Sequence, residues 1–149
     1  MSQACTLICS SNKFSLSDLL KKFVSDAECM EERSADVVVV SVDDVTIKFT
    51  VKKRKRPGDE YSHLILSFGT HFRDVRTKAK KNKQLILQAI MHAEALIGVV
   101  ADPGFDERTD GVLLGLAQSL DALIFTGAAL LNGKGELVLD NKGKFSIEL

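Results

Sequence analysis

The chain has 149 residues, 45% hydrophobic and 27% charged, with 20 Lys and Arg balanced by 20 Asp and Glu. That size and balance suit one soluble α+β domain spanning 1–149, able to bury about two thirds of its unfolded surface, and argue against disorder. No apolar run approaches the roughly 18–20 residues that span a bilayer. The start, Met1-Ser2-Gln3-Ala4-Cys5, lacks the charged and apolar regions of a signal peptide, so no membrane role and a cytoplasmic location are expected.

In chain order, Ala4 to Cys9 reads as a first strand. Ser15 or Ser17 then caps a helix whose buried face is Leu16, Leu19, Leu20, Phe23 and Val24, with Asp18 favourable in the first turn. Cys29 to Arg33 predicts a weaker strand. The run Val37 to Val42 is too rich in β-branched residues for a half-solvated strand and is expected to be covered on both faces. After a turn at Asp43-Asp44, Val45, Ile47, Phe49 and Val51 alternate with Thr46, Lys48, Thr50 and Lys52, as in a strand with one buried face.

Lys52 to Arg56 runs into the turn Pro57-Gly58, and Asp59 is a candidate cap for a helix through Tyr61, Leu64, Ile65, Phe68 and Phe72. A polar stretch leads to a second helix through Ile86, Ala89, Ile90 and Ala93, then to the buried segment Ile97 to Ala101. The turn Asp102-Pro103-Gly104 precedes a helix burying Phe105, Val112, Leu113, Leu116 and Leu120. Within it Gly111 and Gly115 are spaced to let a neighbouring element approach closely. A short strand, Leu123 to Phe125, is followed by a hairpin turning at Gly133-Lys134-Gly135.

These elements predict a single mixed sheet of about six or seven strands with about four helices packed mainly on one side. The strands Ala4 to Cys9, Val37 to Val42, Val45 to Lys52 and Leu96 to Ala101 are expected at or near its centre. Predicted core residues are Val38, Val40, Ile47, Phe49, Ile97, Val99, Leu113, Leu116 and Ile124.

Chemistry-bearing motifs are sparse. Three cysteines, Cys5, Cys9 and Cys29, do not form a disulfide framework and read as reduced thiols. His92-Ala93-Glu94 has the look of a zinc-deaminase half-motif, but that chemistry needs a later Pro-Cys-x-x-Cys, and no Cys follows Cys29. His63, His71 and His92 lack metal-ligand spacing, and there is no P-loop, dinucleotide fingerprint or nucleophile elbow, so no metal, cofactor or catalytic residue is expected. Asp102 and Asp106 lie where a strand end meets a helix start, a common ligand position in α/β sheets, although acids there also serve the helix dipole.

Charge is unevenly placed. Residues 52–83 hold eleven Lys and Arg against three acids, leaving +8 there and −8 over the rest. The basic residues are Lys52, Lys53, Arg54, Lys55, Arg56, Arg73, Arg76, Lys78, Lys80, Lys81 and Lys83, a candidate anion-binding set. No aromatic residue lies within either basic cluster, so a stacking platform for single strands is not expected from these residues.

Ile97-Gly98-Val99-Val100-Ala101, Ala117 with Leu120 to Phe125, Leu130-Leu131, Gly135 to Asp140 and Gly143 resemble the amino-terminal module of a bacterial family of unknown function. The resemblance is best over residues 85–143, with Ala122 where the family tends to have Gly. In that family the module precedes an uncharacterised helical domain, and the chain is expected to be either a standalone version or one from which that second domain was left out. The resemblance implies fold and compartment and assigns no catalytic residue. The expectation is a cytoplasmic, non-catalytic interaction or accessory module, partnered by another protein or by such a downstream domain. The alternatives are weak binding of nucleic acid through 52–83, or an enzyme or ligand site near Asp102.

Overall fold

The computed structural model describes residues 2–24, 29–54 and 60–148. Lys55, Arg56, the Pro57-Gly58 turn and the Asp59 cap lie outside the described residues. The elements are β1 (Gln3–Cys9), α1 (Leu16–Leu20), β2 (Cys29–Ser34), β3 (Val37–Val42) and β4 (Val45–Lys53). They continue with α2 (Glu60–Arg73), α3 (Lys80–Met91), β5 (Ala95–Asp102), α4 (Glu107–Ser119), β6 (Leu123–Phe125), β7 (Ala129–Leu131) and β8 (Leu137–Asp140). No helix among the described residues is long and apolar enough to cross a membrane.

The strands form one open sheet of eight, in the order β2-β3-β4-β5-β1-β6-β7-β8. The class is α+β as expected, with three corrections. There are eight strands rather than six or seven, because both β7 and β8, each only three or four residues long, join the ladder. Every neighbouring pair is antiparallel, so the sheet is not mixed. The four strands expected near the centre do occupy interior positions.

The third correction concerns the helices, which pack on both faces of the sheet. Successive side chains of a strand point to opposite faces. Cys5, Leu7 and Cys9 of β1 join Ala95, Ile97, Val99 and Ala101 of β5 in the core that carries α1 and α4. Ile8 and Leu96, the intervening residues, join a separate core with Tyr61, Ile65 and Phe72 of α2 and Ile86 and Ile90 of α3.

Connectivity explains the division. Strands β1 and β2 run in the same direction, as do β5 and β6, so α1 and α4 are crossover helices, and both lie on one face. Strands β4 and β5 are adjacent and antiparallel, and the α2–α3 hairpin that joins them covers the other face. All nine predicted core residues are buried.

The alternating residues of β4 behave as their pattern predicts. Val45, Ile47, Phe49 and Val51 are buried, whereas Thr46 and Lys48 are exposed. Strand β3 departs from expectation. Val38, Val40 and Val42 are buried in the core with α1 and α4, while on the opposite face Val39 is buried but Val37 and Ser41 are only partly so. The Asp43-Asp44 turn joins β3 to β4 with Asp43 at φ +51°. Gly115 takes the role foreseen for it, since a Cβ there would stand 2.6 Å from the Phe23 ring, whereas Gly111 faces open space.

The chain's last segment is tied to α3 by one buried polar side chain. Asn82 Nδ2 donates to the carbonyls of Val138, at 2.9 Å, and Ile147, at 2.7 Å. Replacing it with Leu strands two acceptors in a protein interior, and the expected loss is about 2 kcal/mol. Urea denaturation checks this. A change within 0.5 kcal/mol, the size usual for surface substitutions at about that scale, contradicts it.

Candidate anion-binding cleft

Two loops converge beside α3 to make a basic concavity. The first is the link between α2 and α3, whose Val75 amide closes on Phe72 O at 3.2 Å. Thr77 Oγ1 accepts from the Ala79 amide at 3.1 Å, shaping the entry to α3, and donates to Gly143 O at 2.7 Å. The second loop follows β8. Asp140 Oδ1 accepts from the amides of Lys142 and Lys144, each at 2.8 Å. Those bonds, that from Lys144 foremost, hold its carboxyl below the usual range and fix a tight turn.

Gly143 sits at the apex of that turn with φ +83°, and any Cβ there would collide with Arg76 O. The close approach brings Arg76 and Lys78 from one loop together with Lys142 and Lys144 from the other. The cleft has a volume of about 700 Å³, with Thr77 and Gly143 at the junction and Phe145 on one wall.

The neighbouring start of α3 adds to the positive field. Its N-cap is Ala79, without a side-chain cap, and its first turn carries no acid but does carry Lys80 and Lys81. The helix dipole places a further partial positive charge at that end. Lys83 lies one turn on, and its Nζ donates to Val75 O at 2.9 Å. Arg73 is set apart by an exposed ion pair with Asp74, 3.7 Å away.

The other basic cluster is elsewhere. Arg54 donates to Met91 O at 3.2 Å, ion-pairs with Glu94 at 4.0 Å and lies over the Tyr61 ring, all at the carboxyl end of α3. Lys53 stands over the Phe14 ring on the opposite sheet face. Twelve residues of helix, about 18 Å at the usual rise, separate these groups from the start of α3. The described basic residues of 52–83 therefore do not share one surface. Lys142, Lys144 and Phe145 were not in the predicted set, although the basic pair flanking Gly143 with an aromatic next to it was a readable signal.

The strand-end acids Asp102 and Asp106 stand at the end of β5 and the start of α4. Asp102 is exposed at the end of β5, paired with Thr46. Asp106 caps α4 in a capping box: Oδ1 accepts from the Thr109 amide at 2.8 Å while Thr109 Oγ1 accepts from the Asp106 amide at 2.7 Å. The Thr109 amide, then its hydroxyl, lowers the Asp106 pKa below the ordinary value. Cys5 and Cys9 are buried, and burial pushes both thiols up to about 12, with Asp110 adding to the effect at Cys5. Neither is a thiolate nucleophile at neutral pH. His92 ends α3, and His71 bonds Asn141 at 2.6 Å and packs edge-on against Phe72 and Phe125.

Fold and cleft together define an antiparallel α+β sheet protein with a basic concavity built from the α2–α3 link and the turn after β8. No family model, curated protein or solved structure matches the chain. The resemblance to the bacterial family thus rests on the quoted residues alone.

Proposed function

We propose that this protein is a cytoplasmic, non-catalytic binding module that holds a single-stranded nucleic acid by its phosphates. The observation that carries the reading is the convergence of Arg76, Lys78, Lys142 and Lys144 on one cleft, with Phe145 on its wall. Four cations lining one cleft offer phosphates a track, and a half-exposed aromatic offers a base a stacking face. The net charge of zero does not oppose this, because association follows the local field rather than the total.

The test is a fluorescence titration of labelled single-stranded and duplex DNA and RNA between about 50 and 200 mM salt. Single strands are expected to bind more tightly, with a log–log salt slope near −3, about 0.7 for each of four phosphates. Changing Arg76, Lys78, Lys142 and Lys144 together to Gln should remove most of that slope. Phe145→Ala should weaken single-strand binding by about 1–3 kcal/mol, the worth of one stacked base, and leave duplex binding nearly unchanged. Binding unaffected by the fourfold change, or no binding at the lowest salt, contradicts the proposal.

A further inference from the structure

A second concavity lies far from the basic cleft, on the α1–α4 face of the sheet, where the flank of α4 overhangs β1, β6 and β7. Its volume is about 760 Å³, within the range of roughly 300–1,000 Å³ usual for small-molecule sites. Phe105, Leu113, Leu114, Ile124 and Leu131 give it apolar walls. At one side the loop before α4 is anchored by Gln3, whose Oε1 accepts from the Phe105 amide at 2.8 Å.

Its polar side chains are those of Gln3, Thr126 and Asp110, and Asp110 carries the charge. Asp110, Leu113 and Leu114 fall at helix positions i, i+3 and i+4, so the carboxyl stands on the same face of α4 as the apolar wall. Cys5 lies below it on β1 and lines the same concavity. No Lys, Arg or His lines the concavity, and none of the ion pairs among the described residues involves Asp110. Asp110 is exposed at the rim, and partial desolvation, with the Asp106 charge adding, holds its carboxyl above the ordinary pKa.

We propose that this cleft binds a small molecule made of an apolar body and a protonated amine, with the ammonium group on Asp110 and the body against Leu113, Leu114 and Ile124. A carboxylate at the rim of an apolar cleft complements that chemistry and repels anions. The ammonium would supply the counter-charge Asp110 lacks, while the buried Cys5 thiol, being neutral, adds no competing charge. This proposal is independent of the nucleic-acid reading, since no residue of the basic cleft takes part.

The experiment follows methyl resonances of the 149-residue protein during titration with n-hexylammonium, n-hexanol and hexanoate, three probes with one body and different heads. Hexylammonium should shift the methyls of Leu113, Leu114, Ile124 and Leu131, hexanol should bind more weakly, and hexanoate should not bind there. Asp110→Asn should lower hexylammonium affinity about tenfold, the scale of one charge-assisted hydrogen bond, while leaving hexanol unchanged. Thr126→Lys, a surface change at the same rim, should abolish hexylammonium binding without unfolding the protein. Equal binding of the three probes, indifference of hexylammonium to Asp110→Asn, or no shift at these methyls overturns the proposal.

Discussion

Truncating Phe49 to alanine is expected to cost about 3–5 kcal/mol of folding stability. Phe49 is fully buried in the middle of β4, paired with Val38 of β3 on one side and Val99 of β5 on the other. All three belong to the core beneath α1 and α4, so removing the ring opens a cavity at the junction of three strands. Strands held on both sides by ladders cannot collapse into such a space, so the cost of the cavity adds to the lost transfer energy. A domain of this size has roughly 5–15 kcal/mol in total, so the variant should lose about a fifth or more of it and about 10 °C in melting temperature. Lys48→Ala, one residue away on the exposed face, is expected to stay within about 0.5 kcal/mol. Urea denaturation of the pair decides it, and a Phe49→Ala loss below about 1 kcal/mol would contradict the packing described.

Gly143→Ala is expected to disturb both stability and binding, although it removes no charge. Two costs coincide there. The residue holds φ +83°, a conformation that L side chains rarely adopt, and its Cβ would collide with the carbonyl oxygen of Arg76. Strain of the first kind is worth about 1–3 kcal/mol, and relief of the collision requires the two loops to separate. Gly135 is the control, since it has a similar φ of +80° but its Cβ would make only an ordinary 3.6 Å contact with Leu114.

Gly135→Ala should therefore show the conformational cost alone, about 1 kcal/mol, with nucleic-acid affinity unchanged. Gly143→Ala should lose about 3 kcal/mol and also weaken single-strand binding at low salt, because Arg76 and Lys78 no longer face Lys142 and Lys144. Matched denaturation curves and DNA titrations of the two variants separate these outcomes. Equal behaviour of the two variants would show that the loop junction does not organise the cleft.

Much of the framework was written in the chain. The strict alternation of Val45, Ile47, Phe49 and Val51 encoded a strand with one buried face, because side-chain direction in a strand has period two. The helical spacing through Tyr61, Ile65 and Phe72, and through Ile86 and Ile90, likewise encoded the buried stripes of α2 and α3. A signal for helices on both faces was present too, in the unbroken apolar runs Leu7-Ile8-Cys9 and Ala95-Leu96-Ile97. Such runs suit strands covered twice, whereas β4 alternates because one of its faces is open.

What local pattern could not decide was the arrangement of elements distant in sequence. A strand of three or four residues such as β7 or β8 acquires its hydrogen bonds from whichever neighbour lies alongside, so the strand count and the antiparallel order depended on the completed sheet. The basic residues show the same limit. Sequence proximity grouped Lys52 to Arg56 with Arg73 to Lys83, but Arg54 stands at the far end of α3 and Lys53 on the opposite sheet face. Lys142, Lys144 and Phe145, some sixty-five residues beyond Arg76, are brought beside it by a glycine with no side chain and a threonine hydroxyl. Charge identity and local periodicity belong to the sequence, while a binding surface is a set of distances, and only tertiary packing sets those.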